Sequence, residues 1–144
     1  MNATIRKFGY PATLIRAWPH WLVLLRPAQP TLGSLVLAAT ADATAFGDLP
    51  GAAFTELAEA TAAIERALGA AIGYERLNYL MLMMVDPHVH FHVLPRYAGT
   101  RQLAGLEIAD PGWPGVPKMD EAVTLDQDQL TALIDALKAA FAAA

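Results

Sequence analysis

The chain has 144 residues, 55% of them hydrophobic and 17% charged, with a net charge of −4. That balance excludes a disordered chain and fits one domain over residues 1–144. The bases form no dense run, which excludes a polyanion footprint and makes nucleic acid an unexpected ligand. The absence of cysteine excludes disulfides and thiolate metal sites, and no stretch reaches the ~18 apolar residues that cross a bilayer. The protein is read as soluble, unprocessed and cytoplasmic, with no membrane partner.

In chain order, "ATLIRAW" (12–18) is a weak strand, followed by apolar strands over 20–26 ("HWLVLLR") and 34–39 ("SLVLAA"). Between the last two lies "PAQPTLG", a turn by composition. From Pro50 to Ile72 the positions Phe54, Leu57, Ala58, Thr61, Ile64, Leu68 and Ile72 recur at three- and four-residue steps and predict a long amphipathic helix. Asp48 and Pro50 suit its start, and Gly69 or Gly73 its end. Two strands, 75–85 and 88–97, are expected around a tight Asp86-Pro87 turn. The proline-rich 110–121 segment reads as a surface loop or flap. A C-terminal helix follows, with Leu130, Leu133, Ile134, Leu137 and Phe141 on one face and Thr124 and Gln127 as a capping box. The expected class is α+β, with a mainly antiparallel sheet of about five strands, one long helix and a C-terminal helix.

Three of the four histidines, His88, His90 and His92, alternate within "HVHFHVLPR". On a strand they share one face, opposite Val89, Phe91 and Val93, and line an exposed or cleft-facing stripe. Imidazoles so placed serve as ordinary sheet residues, as metal ligands or as a nucleophile with helpers. As ligands of one ion, His88 and His92 are roughly 13 Å apart at ~3.3 Å per residue, so two neighbours plus a carboxylate or His20 would be needed. As a nucleophile, imidazole suits phosphorus: a phosphoramidate forms and water resolves it. The flanking rings then hydrogen-bond the oxygens where charge builds up.

"HVHFHVLPR" resembles the His-φ-His-φ-His-φ-φ signature of the histidine-triad family of nucleotide hydrolases and transferases, and the trailing Pro95-Arg96 is similar to its dinucleoside polyphosphate hydrolase branch. The likeness extends over about residues 12–98 and includes the proline–glycine loop "QPTLGSLVL" and the long helix, leaving 99–144 uncovered. It implies attack by His90 on the α-phosphorus of a dinucleoside polyphosphate or nucleoside phosphoramidate, giving a nucleotidyl-histidine, with His88 and His92 holding the phosphate. No cofactor is required, with Mg²⁺ confined to neutralising a polyphosphate, and the histidine spacing argues against a metal site; the apolar surplus and the resemblance together predict a homodimer, with Met81 and Met83 either filling space in a buried strand or facing the sister subunit.

Arg26, Gln29, Ser34 and Asn78 are the candidate substrate contacts. Ser34 stands where the family usually has a histidine, and the Asp86-Pro87 connection is shorter than the family's glycine-containing loop. These departures leave two rivals: a nucleotide-binding or regulatory module with weak turnover, and a metal-dependent hydrolase using the same histidines. Tyr97 and Arg101 near the motif's exit, and Trp18, Trp21 and Trp113 as base-stacking groups, complete the candidates.

Overall fold

The structure is a computed structural model and describes residues 1–143. Its main sheet runs β1 (Leu14–Ala17), β2 (Trp21–Leu25), β4 (Leu35–Ala39), β6 (His90–Arg96), β5 (Arg76–Leu80), every neighbour antiparallel. Short β3 (Ala28–Gln29) pairs with β9 (Val123–Thr124), and β7 (Thr100–Leu103) pairs with β8 (Leu106–Ala109). β2 and β4 are continuous apolar runs because both of their faces are covered. Trp21, Val23, Leu25, Leu35 and Leu37 belong to the main core with α2 (Gly51–Ala71) and α3 (Gln127–Ala143). Leu22, Leu24, Val36 and Ala38 face Ile5 of α1 (Ala3–Lys7), together with Phe8 and Tyr10.

The long helix falls where the periodicity places it, but its buried stripe is rotated. Ala53, Ala60, Ala63, Ile64, Ala67 and Leu68 are buried, whereas Phe54 and Ala58 are exposed. Small alanines let the helix axis approach the sheet closely, so fit rather than hydropathy chooses the face. Trp21 is a core anchor, its Nε1 donating to the Ala53 carbonyl at 2.7 Å. α3 buries Leu133, Ile134, Leu137 and Phe141 as expected. Its capping box is formed by Asp126 and Gln129, not Thr124 and Gln127. The Gln129 N–H donates to Asp126 Oδ1 at 2.8 Å and the Asp126 N–H to Gln129 Oε1 at 3.0 Å.

Two further differences shape the site. β5 stops at Leu80 and β6 begins at His90, so residues 81–89 form an irregular connection rather than a tight turn at Asp86-Pro87. Pro87 has no N–H for a ladder, and Met83 adopts a left-handed φ of 50°. In addition, α1 has no counterpart among the expected elements. Asn2 caps it, accepting from the Ile5 N–H at 3.0 Å, and its Nδ2 donates to the carbonyls of Ala39 and Ala41 at 3.3 and 3.1 Å. The helix is thereby tied across the end of β4.

Candidate active site

His90 pairs across the sheet with Ala38, and His92 with Val36 on one side and Leu80 on the other. Both rings therefore lie on the face that α1 covers. His90 is 2% exposed and His92 7%, so the expected open stripe is a buried one. Phe8 lies over the pair, its ring centroid 5.7 Å from each imidazole, and the two imidazoles meet edge-on at 5.1 Å. His88 is not on the strand. It sits in the bend before β6, its Nδ1 hydrogen-bonded to Thr4 Oγ1 at 2.9 Å.

The motif nevertheless orders its middle ring. His90 Nδ1 lies 2.7 Å from the carbonyl oxygen of His88. A carbonyl only accepts, so Nδ1 carries the proton, and in the neutral ring Nε2 is left with a lone pair. Burial, then the charges of His90 and Arg26, push the His92 imidazole down from 6.5 to about 4, with Asp86 pulling weakly the other way. His92 is therefore neutral near pH 7, and its buried Nδ1 has no hydrogen-bond partner among the described residues. An unsatisfied buried nitrogen beside a ring with a free lone pair is a place for an incoming oxygen.

Beside the two rings is a cavity of about 170 Å³, lined also by Leu82, Met83, Met84, Val85 and Asp86. Asp86 is tied to α1 by an ion pair with Lys7 at 2.7 Å. A larger cavity of about 550 Å³ runs along β5, between Arg76, Asn78 and Trp113, and contains none of the three imidazoles. The smaller one holds the imidazoles of His90 and His92 and is the candidate site.

The candidate contacts from the proline–glycine loop have mostly internal roles. Gln29 is fully buried: its Nε2 donates to the carbonyls of Arg26 and Ser34 at 2.6 and 2.9 Å, and its Oε1 accepts from the Gly33 and Ser34 N–H groups at 2.8 and 3.1 Å. Ser34 Oγ donates to the Thr31 carbonyl at 2.7 Å. Both residues brace the loop, and neither lines the cavity beside His90 and His92. Gly33 has φ +87°, and a Cβ there would meet Ile72 at 3.0 Å. Arg26 is half-buried, donates to the Ala28 carbonyl at 2.6 Å, and its guanidinium is held below its ordinary range by burial. It is the basic side chain whose charge reaches His92.

Asn78 lies along the larger cavity, its Oδ1 accepting from Arg96 at 2.8 Å. Arg96 makes a buried ion pair with Asp110 at 2.7 Å and donates to the Gly115 carbonyl at 2.8 Å, so the expected flap is fastened to β6. Tyr97 is buried between Leu32 and Ile108, while Arg101 lies over the Tyr97 ring. Thr4, Lys7, Phe8 and Asp86 are site residues that sequence reasoning missed. No periodic or motif signal links residues 4–8 to the histidines.

No protein family's profile matches the sequence, and no curated protein matches it. Solved structures do match in fold. A histidine triad protein from Sinorhizobium meliloti is 20% identical, with a TM-score of 0.73 over 95% of this chain and 93% of that one. A hypothetical histidine triad nucleotide-binding protein from Sulfolobus tokodaii is 13% identical, with a TM-score of 0.72 over 97% and 90%. A zinc-bound histidine triad family protein from Mycobacterium smegmatis is 19% identical, with a TM-score of 0.62 over 97% and 94%. The chain has the histidine-triad fold over nearly its whole length.

Proposed function

We propose that this protein is a histidine-triad nucleotide hydrolase or transferase that works through a nucleotidyl-histidine on His90. The observation that carries the reading is the 2.7 Å bond from His90 Nδ1 to the His88 carbonyl, which leaves Nε2 as the nucleophilic nitrogen. The signature "HVHFHVL" on a histidine-triad fold, and the nucleotide-binding designation of the Sulfolobus protein, support the substrate class.

In this mechanism Nε2 attacks the α-phosphorus, the N–P bond forms, and the leaving group departs with the bonding pair and takes a proton from solvent. Proton retention at Nδ1 makes the adduct a phosphorylated imidazolium, which water cleaves to return neutral His90 and a nucleoside monophosphate. Neutral His92 contributes its ring dipole to a non-bridging oxygen, and Arg26 supplies positive potential from the β2 side. His88 acts through its backbone carbonyl as a positioning residue.

Intact-mass spectrometry after mixing with adenylylated compounds, both dinucleoside polyphosphates and phosphoramidates, tests the reading. A nucleotidyl adduct mapping to His90 and absent from His90→Ala is expected. Turnover that persists in His90→Ala would refute it. The Phe8 cover and the closed rings favour one second reading, a nucleotide-binding module with slow turnover. In that case a nucleotide raises the melting temperature and no adduct forms.

A further inference from the structure

We propose that residues Leu82–Val85 form the leaving-group wall of this site and select a nucleoside monophosphate carrying a neutral, hydrocarbon-bearing group over a polyphosphate chain. The inference rests on the reading of His90 as nucleophile. Leu82 is 56% exposed, Met84 82% and Val85 83%. Large apolar side chains left open in one short stretch mark a surface that binding covers. Leu82, Met84 and Val85 also line the cavity that holds His90 and His92, so a ligand held by the histidines comes against them.

The charges divide the site in the same sense. β6 has β4 and then β2 on one side and β5 on the other. Arg26 follows β2, whereas Leu82–Val85 follow β5, so the cation and the apolar wall flank the histidines from opposite sides. Among the described residues, Asp86 is the one carboxylate lining the cavity, and no Lys or Arg lines it. Lys7, at the same end, is already bonded to Asp86. A polyphosphate chain laid along this wall would bring several negative charges against apolar side chains and a carboxylate, with no free cation to offset their desolvation. An alkyl or aryl group meets the opposite situation.

The wall is also adaptable. Residues 82–87 contribute no backbone–backbone hydrogen bond beyond the β5–β6 ladder, which ends at the Leu80 and His92 pair. Met83 and Met84 add unbranched side chains that repack around differing shapes. For an ester substrate, the N–P bond to His90 forms as the P–O bond to the alcohol breaks. The oxygen leaves with the electron pair and is protonated by solvent, and water then releases the nucleoside monophosphate.

The test measures binding by calorimetry to His90→Gln, which cannot turn over, using AMP and its methyl, butyl and hexyl monoesters. Affinity is expected to rise about two- to four-fold per methylene until the wall is covered, as burying CH₂ groups requires. The slope should flatten in His90→Gln carrying Leu82→Ser and Val85→Ser. In the parent enzyme, Met84→Lys with Val85→Lys should shift the kcat/KM ratio between the p-nitrophenyl ester of AMP and diadenosine tetraphosphate at least ten-fold toward the tetraphosphate. If the parent forms the His90 adduct but the chain-length slope is flat, the wall assignment fails and the nucleophile reading stands. If no adduct forms and His90→Gln binds none of the four compounds, both fall.

Discussion

His92 makes the closed site measurable in solution. Its imidazole is held at about 4 against an ordinary 6.5, a difference corresponding to roughly 3 kcal/mol between folded and unfolded chains. The native state resists protonation, so between those two values the unfolded chain binds the extra proton. Stability is therefore whole above about pH 6.5 and falls progressively as the pH drops toward about 4, below which the native ring also protonates and the loss stops growing. The cavity beside the ring lets solvent screen part of this difference, so roughly 3 kcal/mol is its upper value.

Urea denaturation of the parent and of His92→Gln, at about pH 7.5 and about pH 4.5, isolates the contribution. The parent should lose about 2 to 3 kcal/mol more than the variant over that interval. Phe8→Ala gives the complementary arm. Removing the ring packed at 5.7 Å should admit water, return the His92 titration toward 6.5 in proton NMR of the imidazole, and make His90 reactive to carbethoxylation. Equal pH slopes in the parent and His92→Gln would mean that the imidazoles are open to solvent and that the α1 cover is not formed.

Three more outcomes are expected. Arg96→Met should cost about 3 to 5 kcal/mol by urea denaturation, because it leaves the buried Asp110 carboxylate without its cation, and Asp110→Asn in the same chain, which keeps an acceptor for the Tyr97 and Gly112 N–H groups, should recover part of the loss. Turnover should survive prolonged chelation followed by metal analysis. His88 and His90 each spend Nδ1 on Thr4 and a carbonyl, and the described residues hold no cluster of three ligands, so activity that disappears with a stripped zinc ion would favour the metal reading. Light scattering coupled to size exclusion should give the mass of two chains, since β5 is a sheet edge with an unpaired side; a one-chain mass unchanged on concentrating would refute this.

Where the determining contacts are local, the sequence was legible. The alternation in "HVHFHVL" places His90 and His92 on one face of β6, because side-chain period follows directly from a strand's pleat. The apolar runs of β2 and β4 and the long helix follow from patterning in the same way. What local pattern does not encode is which surface comes to lie on that face. α1 is a five-residue helix with no useful periodicity, yet Thr4, Lys7 and Phe8 reach His88, Asp86 and the imidazoles of His90 and His92. The proline–glycine loop misled for a related reason. Gln29 and Ser34 are the residue types a phosphate site would use, but a tight loop leaves backbone groups that need partners, and the two side chains answer those first. The misplaced turn at Asp86-Pro87 has the largest consequence, since the residues freed from the expected strands, Leu82–Val85, are those that wall the cavity. Composition alone assigns such a stretch to the core, and only its position beyond the end of β5 turns it toward the histidines.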